Sequence, residues 1–199
     1  DKHEEHKLLV SLVQTCAAVG DHAAASRYFE RAEALLSEDE AAQCERHKLR
    51  AVMMYFARDY RAAALSTEKA IDAARDLGLS YEVAVNLHNL GDILVRLEDY
   101  PRAYGALKQS LAVADELGYE RLSNHDRMFL AFLDARAGES EGDKILAQGI
   151  RYAEANDFTW DVLGGRFLQA RLLEHRGDQD GARLEYQRVR DLARGSGNR

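Results

Sequence analysis

Residues that could bind a metal ion are scattered along this sequence rather than grouped at ligand spacing. The seven histidines form no HExxH or HxH motif, and His3 and His6 are separated by two glutamates. Zinc sites require several His or Cys ligands at short, fixed spacings. Cys16 and Cys44 stand far apart and form no CxxC pair, which favours reduced thiols over a disulfide framework. The sequence therefore predicts neither a metal site nor a bound cofactor.

Catalytic groups are equally hard to assemble from the pattern. Carboxylates are abundant, but nothing in the sequence places two of them in the contrasting environments that acid–base catalysis requires. The pair Gly164-Gly165 has no strand before it and no phosphate-loop lysine, so we interpret it as a close packing point between helices. Trp160, the only tryptophan, is predicted at the rim of a core. We predict no catalytic residues and no enzymatic activity.

The overall charge argues against two large classes of binding partner. The chain of 199 residues has a formal net charge of -7, whereas proteins that bind nucleic acids or anionic membranes use a basic excess. No run of about 18 apolar residues is present to span a bilayer. We therefore expect no nucleic-acid partner, no membrane partner and a cytoplasmic location. The first residue is Asp, and arginine outnumbers lysine in an alanine-rich background, which favours a segment of a larger bacterial protein.

Two amphipathic helices are predicted on either side of the only proline. Apolar residues follow a helical stripe from Val83 to Leu97, and a second stripe runs from Ala103 to Leu117. Pro101 falls in the first turn of the second helix, where its missing N–H costs nothing. Because the connection is only a few residues long, the two helices should fold back as an antiparallel hairpin.

This hairpin recurs with a period of about 40 residues. The break between its helices is repeated at Gly20-Asp21, Arg58-Asp59, Glu98-Asp99, Gly138-Glu139 and Gly177-Asp178. A small residue that would let two helices approach follows each break, namely Ala25, Ala63, Ala103, Gly142 (one place early) and Ala182. We predict five copies in a single domain of residues 1–199, with boundaries near 5–38, 39–79, 80–119, 120–158 and 159–196.

The ends of the predicted helices carry local signals as well. Residues that suit a left-handed helix end recur in register at Gly78, Gly118 and Asn156. Two residue pairs have the spacing of capping boxes that open the following helices, Ser37 with Glu40 and Ser123 with Asp126.

The third copy of the hairpin resembles a known repeat. The order Leu90-Gly91, Leu94, Asp99-Tyr100, Ala103, Leu107, Leu111 is similar to the tetratricopeptide repeat (TPR). The phrases NLGDIL and DELGYERL resemble the longer variants found in kinesin light chains and bacterial signalling proteins. The resemblance implies an all-α fold, an α-solenoid of about five antiparallel helix-turn-helix repeats forming a right-handed superhelix. It also implies a concave groove lined by the first helices, and a place in a bacterial signalling or regulatory protein.

Placing the other copies in register with the third assigns residues to the predicted groove. Those predicted to bind a partner are Lys48, Tyr55, His88, Asn89, Asp92, Arg96, Asn124, Arg127 and Arg171. Asn89 is singled out because asparagine is a mediocre helix residue whose amide can pair with an extended peptide backbone. In similar repeats an asparagine immediately before Leu-Gly has this role. Asn86 is predicted to have none.

These assignments favour an interaction scaffold that binds a protein or peptide segment in the groove. The cations Lys48, Arg96, Arg127 and Arg171 in an acidic chain favour a segment with carboxylates, from another protein or from the parent chain. Two alternatives stay open, an assembly element that joins copies of the parent protein and a regulatory domain that senses a small ligand. The apolar first helix, which includes Leu8, would suit assembly, whereas the polar outer face of the last helix disfavours self-stacking there.

Overall fold

The computed structural model describes residues 2–37 and 39–196, and within them the regular structure is entirely helical. Ten helices follow one another in these residues: α1 (Lys2–Ala18), α2 (His22–Ala34), α3 (Glu40–Phe56), α4 (Tyr60–Asp76), α5 (Ser80–Arg96), α6 (Tyr100–Glu116), α7 (Glu120–Arg136), α8 (Gly142–Ala155), α9 (Thr159–His175) and α10 (Gln179–Ser196). The described residues contain no strand, which confirms the predicted all-α fold. No helix among them is long and apolar enough to cross a membrane.

Consecutive helices pair as hairpins, and the small residue predicted at each helix crossing is buried. These residues are Ala25, Ala63, Ala103, Gly142 and Ala182. Gly91 on α5 shows how closely the helices of a hairpin approach, because a Cβ atom there would lie 2.5 Å from Cγ of Leu107 on α6. The Ser110 hydroxyl of α6 donates to the Ala84 carbonyl of α5 at 2.9 Å, which joins the same two helices.

An aspartate caps the second helix in copies one, two, three and five. The carboxylates of Asp21 and Asp59 each accept a bond from the backbone N–H three residues on, at 2.9 and 3.0 Å. Asp99 and Asp178 accept equivalent bonds. Loss of such a cap costs about 1 kcal/mol. Helix capping therefore explains why aspartate recurs at each of these breaks.

Copy four departs from this pattern. Glu139 stands where the other copies carry aspartate, and α8 begins later, at Gly142, without a side-chain cap. A Cβ atom on Gly142 would lie 2.4 Å from the Ala131 carbonyl oxygen and 2.7 Å from Cβ of Ala135. The small residue of copy four stands one place early in the sequence because its two helices approach each other closely at that earlier position.

The first helices begin differently, and both predicted capping boxes are wrong. Three first helices follow apolar N-cap residues that make no side-chain cap bond, Leu79, Tyr119 and Phe158. Ser123 lies inside α7 and is buried. Helix α3 is capped by Asp39, which accepts from the Ala42 N–H at 2.8 Å and from the Ser37 hydroxyl at 2.6 Å. These bonds, the one from Ser37 first, lower the pKa of Asp39.

The predicted left-handed helix ends are confirmed at two of the three positions. Gly78 and Gly118 have φ angles of 67° and 72°. In copy four, Asn156 has a φ of -109°, and the next residue, Asp157, takes the left-handed conformation with a φ of 56°. The helix end therefore falls one residue later than predicted in that copy.

The chain divides into two compact units, and each has its own core. Unit 1 comprises the residues up to 113, and unit 2 those from 114 onwards. In unit 1, Leu9, Ala32 and Leu49 form a buried cluster, against which partly buried aromatic side chains pack. In unit 2, Phe132 and Leu168 are among the fully buried side chains. The single domain inferred from the repeats stays a prediction.

Candidate functional site

All six predicted binding residues of unit 1 lie on helices α3 and α5. Lys48, Val52 and Tyr55 follow the i, i+4, i+7 spacing of one helical face on α3. Asn89, Asp92 and Arg96 follow the same kind of spacing on α5. Side-chain bridges join the two rows, so we define the α3–α5 face as Lys48, Val52, Tyr55, Glu82, Asn89, Asp92 and Arg96.

One bridge is a cluster of Tyr55, Asp92 and Arg96. The Tyr55 hydroxyl donates to Asp92 Oδ2 at 2.7 Å, and Arg96 Nε donates to Asp92 Oδ1 at 3.1 Å. The Arg96 guanidinium carbon also lies 4.9 Å from the centroid of the Tyr55 ring and 5.8 Å from that of Tyr60. Each oxygen of the Asp92 carboxylate therefore accepts a hydrogen bond from the protein itself. These bonds hold the side chains of Tyr55, Asp92 and Arg96 in one arrangement.

Burial and charge shift the pKa values of this cluster. Burial raises the pKa of the Tyr55 hydroxyl well above its usual value, and the neighbouring Asp92 carboxylate raises it further. Burial alone would lower the pKa of Arg96, but Asp92 and the tyrosines Tyr55 and Tyr60 keep it above its usual value. The tyrosine is thus held neutral and the arginine is held charged.

The other bridge is centred on Lys48. Its ammonium nitrogen lies 2.9 Å from Glu45 Oε2 on the same helix and 2.8 Å from Glu82 Oε2 on α5. Burial is the largest influence on the pKa of Lys48 and would lower it, but the two glutamates together raise it. Lys48 is therefore a charged group whose charge is already compensated by two carboxylates.

Asn89 lies between these two bridges and is exposed. Tyr55 and Asp92 are bonded at an offset of 37 residues, and the same offset places Asn89 level with Val52. Its amide makes no hydrogen bond to another residue of the described part of the chain. Asn89 is thus an open donor and acceptor, held between two fixed polar bridges.

His88 was predicted to face the groove, but it is buried, with 7% of its surface exposed. It shares a helical stripe of α5 with Ala84 and Val95, which are also buried. Helix α5 therefore buries the side that carries His88, and we do not include this residue in the α3–α5 face. The neighbouring Asn86 is buried as well, and its amide donates to the Glu82 carbonyl at 2.8 Å.

The three predicted residues of unit 2 each have a partner of their own. The Asn124 amide donates to the Gly149 carbonyl of α8 at 3.2 Å, so it serves helix packing. One nitrogen of Arg127 bonds both oxygens of Asp115, at 2.8 and 2.9 Å. Arg171 Nε lies 3.9 Å from a carboxylate oxygen of Glu174. None of these contacts joins one predicted residue to another.

Sequence reasoning missed a strong inter-copy contact in unit 2. Arg121 of α7 forms two hydrogen bonds to the buried carboxylate of Asp161 on α9, at 2.9 and 2.7 Å. Its guanidinium carbon also lies 4.5 Å from the Phe158 ring centroid. The two charged residues are 40 positions apart, which is the repeat period. Opposite charges at equivalent positions of successive copies could therefore have predicted this contact from the sequence.

The residues around the Gly-Gly pair show one prediction confirmed and one wrong. A Cβ atom on Gly165 would lie 2.6 Å from Cγ1 of Ile150, which confirms close packing of α9 against the preceding copy. Trp160, predicted at a core rim, is instead 63% exposed. It occupies the second position of α9, before the buried run of Val162 and Leu163 begins.

Metal ligands and thiols do not assemble in the residues that the structure describes. No group of three or more His, Cys, Asp or Glu side chains there could hold a metal ion. Cys16 and Cys44 are free thiols. Cys44 is buried and its thiol lies 3.5 Å from the Ala70 carbonyl, and this burial raises the pKa of the thiol.

The sequence matches no protein-family model and no curated protein. Its fold is nevertheless similar to several solved structures of low sequence identity. The apo form of RapI has a TM-score of 0.69 and 13% identity, over 98% of this chain and 85% of that one. A Rap protein complexed with Competence and Sporulation Factor has a TM-score of 0.73 and 15% identity, over 98% of this chain and 65% of that one.

A structure with TPR-like repeats is also among the similar folds. The putative kinesin light chain of Podosopora anserina, described as having nearly identical TPR-like repeats, has a TM-score of 0.55 and 15% identity, over 98% of this chain and 95% of that one. This similarity, together with the ten helices and the recurrent breaks, shows that the chain has a TPR-like helical-repeat fold, as the residues of the third copy predicted.

Proposed function

We propose that this chain is a protein–protein interaction module whose α3–α5 face binds an extended segment of a partner protein or of the parent chain. The observation that carries the proposal is the exposed amide of Asn89, which lies between the Lys48–Glu82 bridge and the Tyr55–Asp92–Arg96 cluster. An amide side chain offers one donor group and one acceptor, which matches a peptide group of an extended backbone.

The bridges on either side support this role because they fix the surface before a partner arrives. The hydrogen bond from Tyr55 to Asp92 joins α3 to α5, and so does the ion pair between Lys48 and Glu82. A surface whose side chains are already ordered loses less conformational freedom on binding, which favours affinity. The two bridges would thus frame the peptide group that Asn89 recognises.

The charges of the face favour backbone recognition over the recognition of carboxylates. Lys48 and Arg96 are both paired with carboxylates of the protein itself, namely Glu45, Glu82 and Asp92. A carboxylate of the partner would have to compete with these groups. We therefore propose that the partner is selected mainly through its backbone and its fit beside Val52, with little dependence of the affinity on salt.

One of the similar folds gives this proposal additional support. The Rap protein of similar fold is complexed with Competence and Sporulation Factor. A fold of this kind can therefore hold a partner, although sequence identity of 15% carries no residue of that site to this chain.

The proposal is tested by replacing Asn89 with alanine. We expect the Asn89→Ala variant to keep its fold, since the side chain is exposed, and to lose about tenfold or more in affinity for its partners, since a buried peptide group would lack its bonding partner. Wild type and variant are compared in pull-downs from the native lysate, and the partners are identified by mass spectrometry and titrated.

Gln148→Ala is the matched control, because Gln148 is an exposed amide on α8 of unit 2. It should retain every partner that wild type retains. Equal recovery of the same partners with wild type and Asn89→Ala would contradict the proposal. It would instead favour the assembly role, for which Leu8 on α1, 60% exposed, is the first residue to substitute.

A further inference from the structure

Helix α8 shows how one hairpin of unit 2 contacts the next. Asp143 forms an ion pair with Arg176 of copy five at 2.8 Å, and Glu154 forms one with Arg166 at 2.5 Å. Between these two carboxylates, Ile150 is buried where α8 packs against α9. Copy four therefore presents an apolar residue flanked by two negative charges to the copy that follows it.

Arginine occupies all three equivalent positions of α10. Gly142 and Ala182 are the buried small residues at the helix crossings of copies four and five, and they align α8 with α10 from residue 142 to residue 182. In this alignment the residues at the three contact positions are Arg183, Arg190 and Arg194. They follow the i, i+7, i+11 spacing of one helical face, and we call them the α10 arginine stripe. The charge of the contact surface is thus reversed from copy four to copy five.

The α10 arginine stripe is exposed, and little of its charge is compensated. Arg183 and Arg194 form no ion pair with any other residue that the structure describes. Arg190 lies 3.4 Å from the adjacent Asp191, but the two side chains are 56% and 67% exposed. An ion pair this exposed is weak. Guanidinium groups of the stripe are therefore accessible to the carboxylates of a partner.

An exposed tryptophan lies on the same side of copy five. Trp160 is the second residue of α9, as Arg121 is of α7. Arg121 contacts copy five, where it bonds Asp161 and lies 4.5 Å from the ring centroid of Phe158. Trp160 thus occupies a position that contacts a following hairpin, yet 63% of its surface is exposed. Arginine and tryptophan are the residues most enriched in the hot spots of protein interfaces.

We propose that the α10 arginine stripe binds an acidic helix of a partner protein. The equivalent positions of α8 contact a helix, α9, so this surface has the shape that receives a helix. The charge reversal requires that the helix present carboxylates, which guanidinium groups bind through paired hydrogen bonds. Trp160 would cover an apolar residue of the same helix.

Neither a second copy of the chain nor a nucleic acid has the matching chemistry. In a head-to-tail stack of two copies, α1 would take the place that α9 has beside α8. Aligned on the capping aspartates of copies one and five, α1 carries Leu9 and Val19 where α9 is followed or formed by Arg176 and Arg166, so it supplies no carboxylate at either position. A nucleic acid would be repelled by the net charge of -7.

The probe is an alanine-based helical peptide, acetylated and amidated, with glutamates at i, i+4 and i+11 and a leucine beside them. This is the spacing of the stripe in antiparallel order. Binding to the full chain is followed through the fluorescence of Trp160, the only tryptophan. We expect a saturable change and a dissociation constant that rises at least tenfold between about 50 mM and about 500 mM salt, because the charges are exposed. The same peptide with glutamine for glutamate should bind at least tenfold more weakly.

The stripe variant replaces all three arginines by alanine and should bind the glutamate peptide at least tenfold more weakly, with the melting temperature of wild type. The matched control removes as many exposed arginines from other helices: Arg27→Ala, Arg61→Ala and Arg151→Ala. It has the same net charge as the stripe variant and should bind like wild type. Replacing the stripe by three glutamates should instead create binding of a lysine peptide of the same spacing, which the control positions should not do when changed to glutamate.

Equal affinity of the stripe variant and its control, or of the glutamate and glutamine peptides, would overturn the proposal. A short DNA duplex that binds the stripe more tightly than the glutamate peptide would assign the surface to nucleic acid instead. Self-association in sedimentation that is lost in the stripe variant would assign it to a second copy. The result is independent of the α3–α5 face, since Asn89→Ala should bind the glutamate peptide like wild type and the stripe variant should keep the partners assigned to Asn89.

Discussion

The Tyr55 hydroxyl has two structural roles in unit 1. Its bond to Asp92 joins α3 to α5, and it directs the second oxygen of that carboxylate to Arg96. Both ends of the bond are partly buried, so water replaces it poorly. Removing the hydroxyl would leave the Asp92 carboxylate without one of its two hydrogen-bond donors at the end of the α3–α5 face.

We expect Tyr55→Phe to lower the free energy of unfolding by about 1 to 2 kcal/mol at neutral pH, because a bond to a carboxylate is lost and the ring is retained. The folded-state pKa of Tyr55 is raised, so its contribution is fully present below the unfolded value of about 10. Above that pH the unfolded chain releases the proton first, and the contribution declines as the pH rises through the folded pKa. Denaturant unfolding at several pH values measures the difference between variant and wild type.

The difference in the free energy of unfolding between wild type and Tyr55→Phe should therefore be constant between about pH 7 and pH 9 and should become smaller above about pH 10. Tyr104→Phe is the control, since Tyr104 lies at the exposed surface of α6. It should leave the stability unchanged at every pH. A difference in the free energy of unfolding that stays constant up to about pH 11 would show that the Tyr55 hydroxyl is not held neutral by its surroundings.

At the scale of helices, close approach within a hairpin depends on a few small residues. Ala103 of α6 is fully buried, and the α5–α6 crossing is so tight that Gly91 leaves no space for a Cβ atom beside Leu107. Packing of this density tolerates neither a cavity nor an added methyl group without strain. The small residue after each break is thus a requirement of the hairpin.

Ala103→Leu should therefore lower the free energy of unfolding by about 1 to 3 kcal/mol, because the larger side chain overpacks the crossing. Thermal melting followed by circular dichroism measures the change. Ala112→Leu is the control, as Ala112 is exposed on the same helix and has room for a larger side chain. Equal melting temperatures for wild type and Ala103→Leu would mean that α5 and α6 cross at another position.

Helices and their breaks could be predicted from the sequence because each depends on local residues. A stripe of apolar residues, an aspartate cap or a left-handed glycine acts within one or two turns. The position of His88 could not be predicted in this way, because α5 buries more than one side and a single-stripe pattern does not apply. The sequence had a hint, since His88 lies on a stripe with Ala84 and Val95.

Whether a predicted cation is paired with a carboxylate depends on neighbouring helices, so the pattern of one helix could not predict it. Lys48 is compensated by Glu82, which lies 34 residues on, and Arg127 by Asp115 of α6. Counting positive residues on a predicted groove overlooks such partners. Exposed pairs like that of Arg127 contribute little to stability, but they reduce the charge that a partner would meet.

At the scale of the whole chain, the copies of unit 2 depend on one another through specific contacts. Copy five supplies Asp161 to Arg121, and Arg176 of copy five bonds both oxygens of Asp143 of copy four at 2.8 Å. Gly165 packs beside Ile150 at the same junction. In a repeat fold, stability is approximately the sum of such neighbour interfaces and the intrinsic terms of each copy.

Deleting the chain from Thr159 onwards should therefore destabilise copy four and leave the structure of unit 1 intact, because unit 1 has its own core around Leu9, Ala32 and Leu49. Hydrogen exchange followed by mass spectrometry should show faster exchange in α7 and α8, which lose the packing of α9. Exchange in α1 to α5 should be unchanged. The shorter deletion from Gln179 onwards is the control, since it removes α10 and keeps the contacts of Asp161 and Gly165 with copy four. Uniformly fast exchange along the whole chain after the longer deletion would show that all copies unfold as one cooperative bundle, and the additive description of the repeats would then be wrong.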